Sequence, residues 1–385
     1  MPSSPFDSKT IYQAIWNADQ QQNGVPAILQ SDADVSTSLK DNSRGYVIVN
    51  EAEDFTKDTK VLSEVLIPET KKKTYDLCEN LFNNYVLKSS RSEDTETETP
   101  EETVEINTFI TAIIDTEPMR IAREYLAPDQ SSDEEWFTTI REMWFTTFAI
   151  PSAKNRSGFE HVFVGEDTGK LGGYHFWYKY YLDDGAGKID GKDAMDYFGA
   201  KYGRSAAENE EGRSVPEVIT LAHVWDAYGT PDDEGDDLNK RIGGFWVGCS
   251  PEGLIALGMA RFKDEKSGST RAVINNAEYE LKLFSDVDRR KASNEDKVAK
   301  HINTFYPIFK GRVAGTDTGD AVVEPPKPPV DPNPEPDTGD AVVEPPKPPV
   351  DPNPEPDTGD AVVEPPKPPV DPNPEPEHQQ CCNVQ

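Results

Sequence analysis

Three identical 20-residue sequences, each reading DTGDAVVEPPKPPVDPNPEP, follow one another at 317–336, 337–356 and 357–376. Each copy holds seven prolines, and proline lacks the backbone N–H that helices and inner strands require. The repeat also has too few apolar side chains to stack on its neighbours as a solenoid. We therefore predict that residues 316–377 form an extended, disordered linker, partly polyproline II, which leaves residues 8–315 to fold. Domains that bind Pro-rich ligands are candidate partners for this linker.

The folding part is long enough to bury a large core, and its hydrophobic patterns predict an α+β fold in two parts. Residues 8–150 are predicted to be mainly helical, with helices at 104–116 and 133–148. Residues 156–312 are predicted to carry antiparallel sheets that meet at a cleft. The strands of this second part are predicted at 159–165, 217–225, 242–248, 271–284 and 301–309, and its helices at 175–183 and 251–262.

The composition is typical of an intracellular protein. Of the four cysteines, only Cys78 and Cys249 lie in the folding part, so a disulfide framework is not expected. Residues 1–7, predicted to be disordered, lack the charged and apolar segments of a signal peptide. No apolar stretch approaches the length of a transmembrane helix. We expect a cytoplasmic protein without a signal peptide, and we favour a monomer.

Two of the five histidines, His161 and His175, lie in segments with features of a pocket. Alternating apolar residues around His161 predict a short strand. Gly172 and Gly173 directly precede Tyr174 and His175, and glycines permit a tight turn or a close approach to a ligand. Imidazole titrates near neutrality, so two of them can accept and donate a proton in one turnover. A histidine beside apolar residues is more often a packed core residue, and the pair alone leaves both interpretations open.

Further motifs occur before and after the histidines. They are SGFEHVFVGE at 157–166, KRIGGFWVGCSPE at 240–252 and INTFYP at 302–307, preceded by EINTF at 105–109 and IAREYL at 121–126. In this order the motifs resemble the EndoU family, the XendoU-like poly(U)-specific endoribonucleases, over about residues 8–312. The resemblance implies an endoribonuclease domain at 8–315 whose catalytic part is residues 156–312.

The resemblance also implies roles for five residues. His175 would be the base that activates the ribose 2′-OH, His161 the acid for the leaving 5′-oxygen, and Lys240 the cation at the phosphate. Exchange of the two histidine roles stays open. Thr304 and Tyr306, two apart on one strand face, would support the pocket and contact the ribose or uracil, with tyrosine packing in the sheet as the alternative. Because the nucleophile belongs to the RNA, cleavage would leave a 2′,3′-cyclic phosphate.

Other positions match the family pattern or depart from it. Gly244 stands where family members often carry a serine that helps to select uracil, and Phe176 replaces a common asparagine. Ser250 is either a substrate ligand or the cap of the following helix. Glu160 and Glu166 match acidic positions that orient the histidines or belong to a manganese requirement, with a solvated face as the alternative.

The formal net charge of −32 opposes the approach of RNA. The repeats hold part of this excess, with five acidic residues and one lysine per copy, and an acidic surface loop is predicted at 229–237. We therefore expect single-stranded RNA to bind through local cations, in a salt-dependent manner, rather than in a basic groove. The resemblance implies stimulation by Mn²⁺, but no clustered ligands in the sequence identify a metal site.

The tail at 378–385 ends in Cys381-Cys382-Asn383-Val384-Gln385. A cysteine fourth from the end is typical of a prenylation box, with Cys382 prenylated, and a palmitoyl group on Cys381 would make membrane anchoring stable. Asn383 is not aliphatic, however, and no polybasic run precedes the box. The alternative is a disordered tail with two free thiols.

Together these features predict an endoribonuclease that cleaves single-stranded RNA at uridylates by 2′-OH transesterification with His/His/Lys catalysis. The alternative is a catalytically weak RNA-binding or membrane-tethered adaptor on the same fold. The acidic surface, Gly244, Phe176 and the long C-terminal tail favour the adaptor. The joint presence of both histidines, the lysine and the Thr-x-Tyr pair favours the enzyme.

Overall fold

The computed structural model of the protein describes residues 4–50, 60–85, 87, 97–127, 132–150, 153–186, 195–202, 216–225, 238–286 and 299–313. The predicted acidic loop, the three repeats and both C-terminal cysteines lie outside these residues. All of these described residues belong to one compact unit. Within the described ranges, no helix combines the length and apolar character needed to cross a membrane.

Helices and strands occur in both parts of the chain. The α-helices of the described residues are α1 (Ile11–Gln21), α2 (Gln30–Val35), α3 (Glu69–Asn80), α4 (Pro100–Ile113), α5 (Glu117–Leu126), α6 (Asp133–Trp144), α7 (Trp177–Ala186) and α8 (Pro251–Asp264). The strands are β1 (Ala27–Leu29), β2 (Tyr46–Val49), β3 (Leu62–Leu66), β4 (Phe148–Ile150), β5 (Ala153–Arg156), β6 (Glu166–Asp167), β7 (Leu171–Gly172), β8 (Met195–Tyr202), β9 (Val218–Trp225), β10 (Leu238–Trp246), β11 (Gly268–Ile274), β12 (Ala277–Ser285) and β13 (Ile302–Arg312). Short 3-10 helices span Thr37–Leu39 and Leu81–Asn84, and a π-helix spans Glu160–Val164.

The strands of the second part form two antiparallel three-stranded sheets, in the orders β8-β9-β10 and β11-β12-β13. The hairpins β4-β5 and β6-β7 lie before them in the chain, and both β7 and β13 contact β10. The predicted α+β class with antiparallel sheets is therefore confirmed. In the first part, β1, β2 and β3 make a small mixed sheet that the helical patterns do not predict.

The two helices predicted in the first part are confirmed as α4 and α6, and each starts at a capping box. The hydroxyl of Thr99 accepts from the Glu102 backbone N–H at 3.2 Å, and the Glu102 carboxylate accepts from Thr99 N–H at 2.6 Å. Ser132 and Glu135 make the same reciprocal pair before α6. These pairs satisfy N–H groups that a helix start otherwise leaves without partners.

The predicted strands at 217–225, 242–248 and 301–309 correspond to β9, β10 and β13, and the two predicted helices to α7 and α8. The strand predicted at 271–284 is instead a hairpin of β11 and β12. Asn275 and Asn276 turn the chain with φ values of 51° and 60°, a left-handed conformation that asparagine tolerates better than most residues.

The strand predicted at 159–165 is wrong, because this segment forms the π-helix. Phe159 and Phe163 stack with ring centroids 4.5 Å apart; their four-residue spacing fits one face of a helix as well as one face of a strand. The Ser157 hydroxyl accepts from Glu160 N–H at 3.1 Å and so starts a helical turn. Gly165, at φ +91°, ends it.

Helix α8 joins the two predicted parts, because α1 and α5 both pack against it. Its N-cap is Ser250, whose hydroxyl accepts from Gly253 N–H at 3.1 Å and donates to Asp19 of α1. The Ser250 backbone N–H also donates to Asp19, at 3.2 Å. Ser250 is completely buried in these contacts, so the helix-cap interpretation is confirmed.

The buried Asp19 makes stability depend on pH. Burial, followed by the charge of Glu252, raises the pKa of Asp19 to about 7, whereas an unfolded aspartate titrates near pH 4. The stability from protonated Asp19 is therefore complete below about pH 4 and is lost as the pH rises through about 7. Asp19→Asn cannot ionise, so its free energy of unfolding should fall less between pH 5 and pH 8, by up to about 3 kcal/mol. Urea denaturation at both pH values measures this difference, and equal losses in the two proteins would argue against it.

Candidate active site

Backbone hydrogen bonds between their own segments bring the two predicted histidines together. Tyr174 N–H donates to the His161 carbonyl at 2.8 Å, and His175 N–H donates to the Val162 carbonyl at 2.7 Å. The two imidazole centroids are 6.3 Å apart. Gly173 has φ +62°, and a Cβ there would lie 1.8 Å from the His161 carbonyl oxygen. Only glycine permits this approach. The close approach predicted for these glycines is therefore made to the backbone of His161.

The environment of His175 keeps its imidazole neutral. Nδ1 lies 2.9 Å from the Gly244 carbonyl oxygen; since a carbonyl only accepts, Nδ1 carries the proton and Nε2 is left as an acceptor. Burial lowers the pKa of His175 well below its ordinary value, and the positive charge of Lys240 acts in the same direction. The ring also stacks on Tyr306, with centroids 4.5 Å apart. A neutral imidazole whose Nε2 is free can accept a proton.

The environment of His161 contains a carboxylate instead. Its Nδ1 lies 3.2 Å from Oε1 of Glu166, and Glu166 also pairs with Arg156. Burial lowers the pKa of His161, while the negative charge of Glu166 opposes that effect. Burial acts to raise the pKa of Glu166, but His161 and Arg156 outweigh it and hold the pKa below its ordinary value. The imidazolium form is thus better supported in His161 than in His175, as a general acid requires.

Neither predicted acidic residue lies on a solvated face. Glu166 is completely buried and Glu160 is 1% exposed. The Glu160 carboxylate accepts from the Ser157 backbone N–H at 3.4 Å, so it holds the start of the π-helix that carries His161. Glu166 contacts His161 directly, as described above.

Lys240 lies on β10, where it pairs with position 223 of β9. Its Nζ donates to the carbonyl of Gly173, the residue between the two histidine segments. Burial lowers the pKa of Lys240 to about 8, and the positive charge of Lys170 adds to this effect. A cavity of about 580 Å³ opens at Lys240; it is lined by Gly169, Lys170, Leu171, Gly172, Gly173, Asn239 and Lys240.

The Thr-x-Tyr pair lies on β13. Tyr306 is half-buried against His175, and burial raises the pKa of its phenol. One face of its ring is thereby covered by the imidazole of His175. Thr304 is 6% exposed, and its Oγ1 has no hydrogen-bond partner among the described residues. An unsatisfied buried hydroxyl is uncommon in folded proteins.

Gly244 acts through its backbone, since its carbonyl fixes His175. A Cβ at this position would lie 3.0 Å from the Pro307 carbonyl oxygen, so β13 passes close to β10 here.

The structure does not bring Ser250 into the cavity. Sequence reasoning missed the carbonyls of Gly173 and Gly244, because backbone groups carry no residue-type signal. It also missed the Arg156 contact that holds Glu166.

The sequence matches the family described as Endoribonuclease XendoU over residues 7–307. The chain belongs to the XendoU endoribonuclease family. A "Poly(U)-specific endoribonuclease" of Xenopus tropicalis is 28% identical over 316 residues, which cover 78% of this chain and 92% of that protein. A "Uridylate-specific endoribonuclease" of Bos taurus is 30% identical over 190 residues, 48% of this chain and 40% of that protein.

A solved structure supports the same fold. It is titled "The structure of XendoU: a splicing independent snoRNA processing endoribonuclease". The match has a TM-score of 0.56 at 21% identity and covers 79% of this chain and 97% of that chain. The antiparallel sheets and the helices around them are therefore arranged as in the XendoU fold.

The side chains of this XendoU-family site bear on the expected manganese. No group of three or more His, Cys, Asp or Glu side chains within the described ranges is placed to hold a metal ion. Glu166 is engaged by Arg156 and His161, and Glu160 bonds to the backbone of Ser157. The residues of this site therefore do not fit a resident Mn²⁺, and stimulation by Mn²⁺ stays a prediction.

Proposed function

We propose that the protein is an endoribonuclease that cleaves single-stranded RNA at uridylates by attack of the ribose 2′-OH on the adjacent phosphate. The observation that carries the proposal is the pair of buried histidines with different partners, Gly244 for one and Glu166 for the other, together with Lys240, which donates to the Gly173 carbonyl between the two histidine segments. Two titratable groups with contrasting environments are typical of an acid–base pair.

The reaction needs two proton transfers and one stabilised phosphorane. His175 Nε2 accepts the 2′-OH proton as O2′ bonds to phosphorus. Lys240 Nζ offsets the charge on the non-bridging oxygens. His161 then gives a proton to the departing 5′-oxygen, which yields a 2′,3′-cyclic phosphate and a 5′-hydroxyl. The lowered pKa of His175 favours the neutral base at physiological pH.

Selectivity for uridine is supported by the relatives, which are described as poly(U)- or uridylate-specific. Four DNA oligonucleotides, each with one ribonucleotide (U, C, A or G), separate base selection from cleavage. We expect rapid cleavage at the ribouridine alone. Equal cleavage at all four would sink the uridine preference, and intact oligonucleotides throughout would favour the adaptor.

Two further proposals concern conditions and location. Because the chain carries a net charge of −32, we propose that Mn²⁺ stimulates cleavage by screening repulsion between protein and RNA, so that Mg²⁺ at equal concentration stimulates as well.

For the tail, we propose a lipid anchor at Cys382. The intact mass of protein from its native cells tests this, and an unmodified carboxy terminus rules it out.

The contact between Glu166 and His161 predicts a change in the pH profile. Glu166→Gln keeps the shape but removes the charge that stabilises the imidazolium of His161. His161 should then lose its proton at lower pH, so the alkaline limb of kcat/KM should move about one pH unit to lower pH. Rates on a single-uridine oligonucleotide from pH 4 to 9 measure the shift. Circular dichroism controls for folding, since Arg156 loses its partner, and an unmoved limb in a folded variant refutes the assignment.

A further inference from the structure

The cavity at Lys240 extends beyond the groups that the proposed reaction uses. Its volume of about 580 Å³ lies within the range of about 300–1,000 Å³ typical of ligand pockets. From Lys240 the lining continues along residues 169–173 and includes the exposed side chain of Asn239. A phosphate bound at Lys240 leaves the part of the cavity beside Lys170 for the next portion of the ligand.

The turn that carries Lys170 is held by its own hydrogen bonds. Gly169 N–H donates to Oδ1 of Asp167 at 2.8 Å, and Thr168 N–H donates to the Lys170 carbonyl at 3.0 Å. Gly169, at φ +86°, permits the reversal between β6 and β7. The backbone of Lys170 is thereby fixed while its side chain stays exposed. In the part of the chain that the structure describes, no carboxylate forms an ion pair with it.

Two lysines line one cavity in an otherwise acidic protein. They are close enough that the charge of Lys170 contributes to the lowered pKa of Lys240. Like charges at one cavity repel each other in the free protein, and a ligand with two neighbouring negative charges relieves that repulsion. The backbone of single-stranded RNA is such a ligand.

The position of the turn indicates which phosphate it meets. The hairpin that carries Lys170 begins at Glu166, and Glu166 contacts His161. In the proposed reaction His161 faces the departing 5′-oxygen, so the hairpin lies toward the leaving fragment. We propose that Lys170 binds the phosphodiester immediately 3′ of the scissile one, which gives the cavity a second phosphate subsite. The choice of the 3′ side rests on the proposed function.

A binding experiment tests the subsite without any cleavage. The ligand is an oligonucleotide with one 2′-deoxyuridine at the cleavage position, so that it has no attacking 2′-OH. In a second version, the phosphodiester 3′ of the scissile one is a neutral methylphosphonate. In a third version, a methylphosphonate is placed several linkages 5′ of the deoxyuridine. Dissociation constants are measured for the wild type, Lys170→Gln and Lys9→Gln; Lys9 is an exposed lysine that does not line the cavity.

We expect the neutral linkage next to the scissile one to weaken binding to the wild type and to Lys9→Gln about two- to fivefold, the strength of one exposed ion pair. In Lys170→Gln the same replacement should have no effect, and the slope of log Kd against log salt should fall by about 0.7. If the neutral linkage weakens binding to Lys170→Gln as much as it weakens binding to the wild type, the subsite is overturned. The subsite is also overturned if the distant methylphosphonate weakens binding to the wild type as much as the adjacent one does. A wild-type protein that binds in this way but cleaves no RNA keeps the subsite and overturns the proposed function.

Discussion

Replacing His175 by alanine is expected to lower kcat/KM for a single-uridine RNA by about 10²–10⁴-fold, the usual contribution of a general base. The reason is that His175 Nε2 is the acceptor left when Nδ1 donates to the Gly244 carbonyl. His301→Ala is the matched control. That imidazole is bonded to Asp286 at 2.8 Å and stacked on Phe148, whereas the imidazole of His175 contacts Gly244 and Tyr306. We expect little change in kcat for the control, and similar losses in both variants would count against a catalytic role for His175.

A comparison of His175→Ala with His161→Ala decides which histidine is the acid. An RNA analogue whose 5′-oxygen at the cleavage site is replaced by sulfur has a leaving group that departs without a proton. Such a substrate should restore most of the activity of His161→Ala and none of the activity of His175→Ala. Rescue of His175→Ala alone reverses the two roles. This exchange is the one that the sequence leaves open, and the contact of His161 with Glu166 favours His161 as the acid.

Replacing Lys240 by methionine should lower kcat by about 10²–10³-fold, as removal of one group that stabilises transition-state charge does in other enzymes. Methionine keeps most of the side-chain length and loses the ammonium that lies at the Gly173 carbonyl. Because the loss affects the phosphorane more than the bound substrate, KM should change much less than kcat. Single-turnover rates at saturating RNA measure the chemical step directly.

Lys71→Met is the control for this substitution. Lys71 is 8% exposed and Lys240 is 7% exposed. The Lys71 ammonium also donates to a backbone carbonyl, that of Gly24, at 2.6 Å. Both variants lose a buried ammonium and should be less stable, but only Lys240→Met should lose the chemical step. If kcat falls equally in both folded proteins, Lys240 acts through stability and not at the phosphate.

The part of the site that sequence predicts well is the part carried by side-chain types. The histidine pair alone left a packed-core role open, and the resemblance of the ordered motifs made His161, His175 and Lys240 the candidates before any fold was known. The structure brings them to one place. Glycine at position 173 also gave a signal, since a close approach was expected there and is made to the His161 carbonyl.

The remaining features depend on tertiary structure. The strand predicted around His161 is a π-helix, because Phe159 and Phe163 fit either periodicity and the Ser157 cap decides between them. The carbonyl of Gly244 orients His175 through the packing of β10, which no residue pattern encodes. Ser250 satisfied both interpretations of its motif, and only its contact with Asp19 of α1 showed that it belongs to the core.

The most direct test of the account is the chemistry of the cut ends. Wild-type protein is incubated with an RNA oligonucleotide that contains one uridine and with the same oligonucleotide carrying 2′-deoxyuridine there. The products are then weighed by mass spectrometry. The account predicts a 5′ fragment that ends in a 2′,3′-cyclic phosphate, a 3′ fragment that begins with a 5′-hydroxyl, and no cleavage of the deoxyuridine strand. A 3′-hydroxyl paired with a 5′-phosphate, or cleavage at the deoxyuridine, would contradict it.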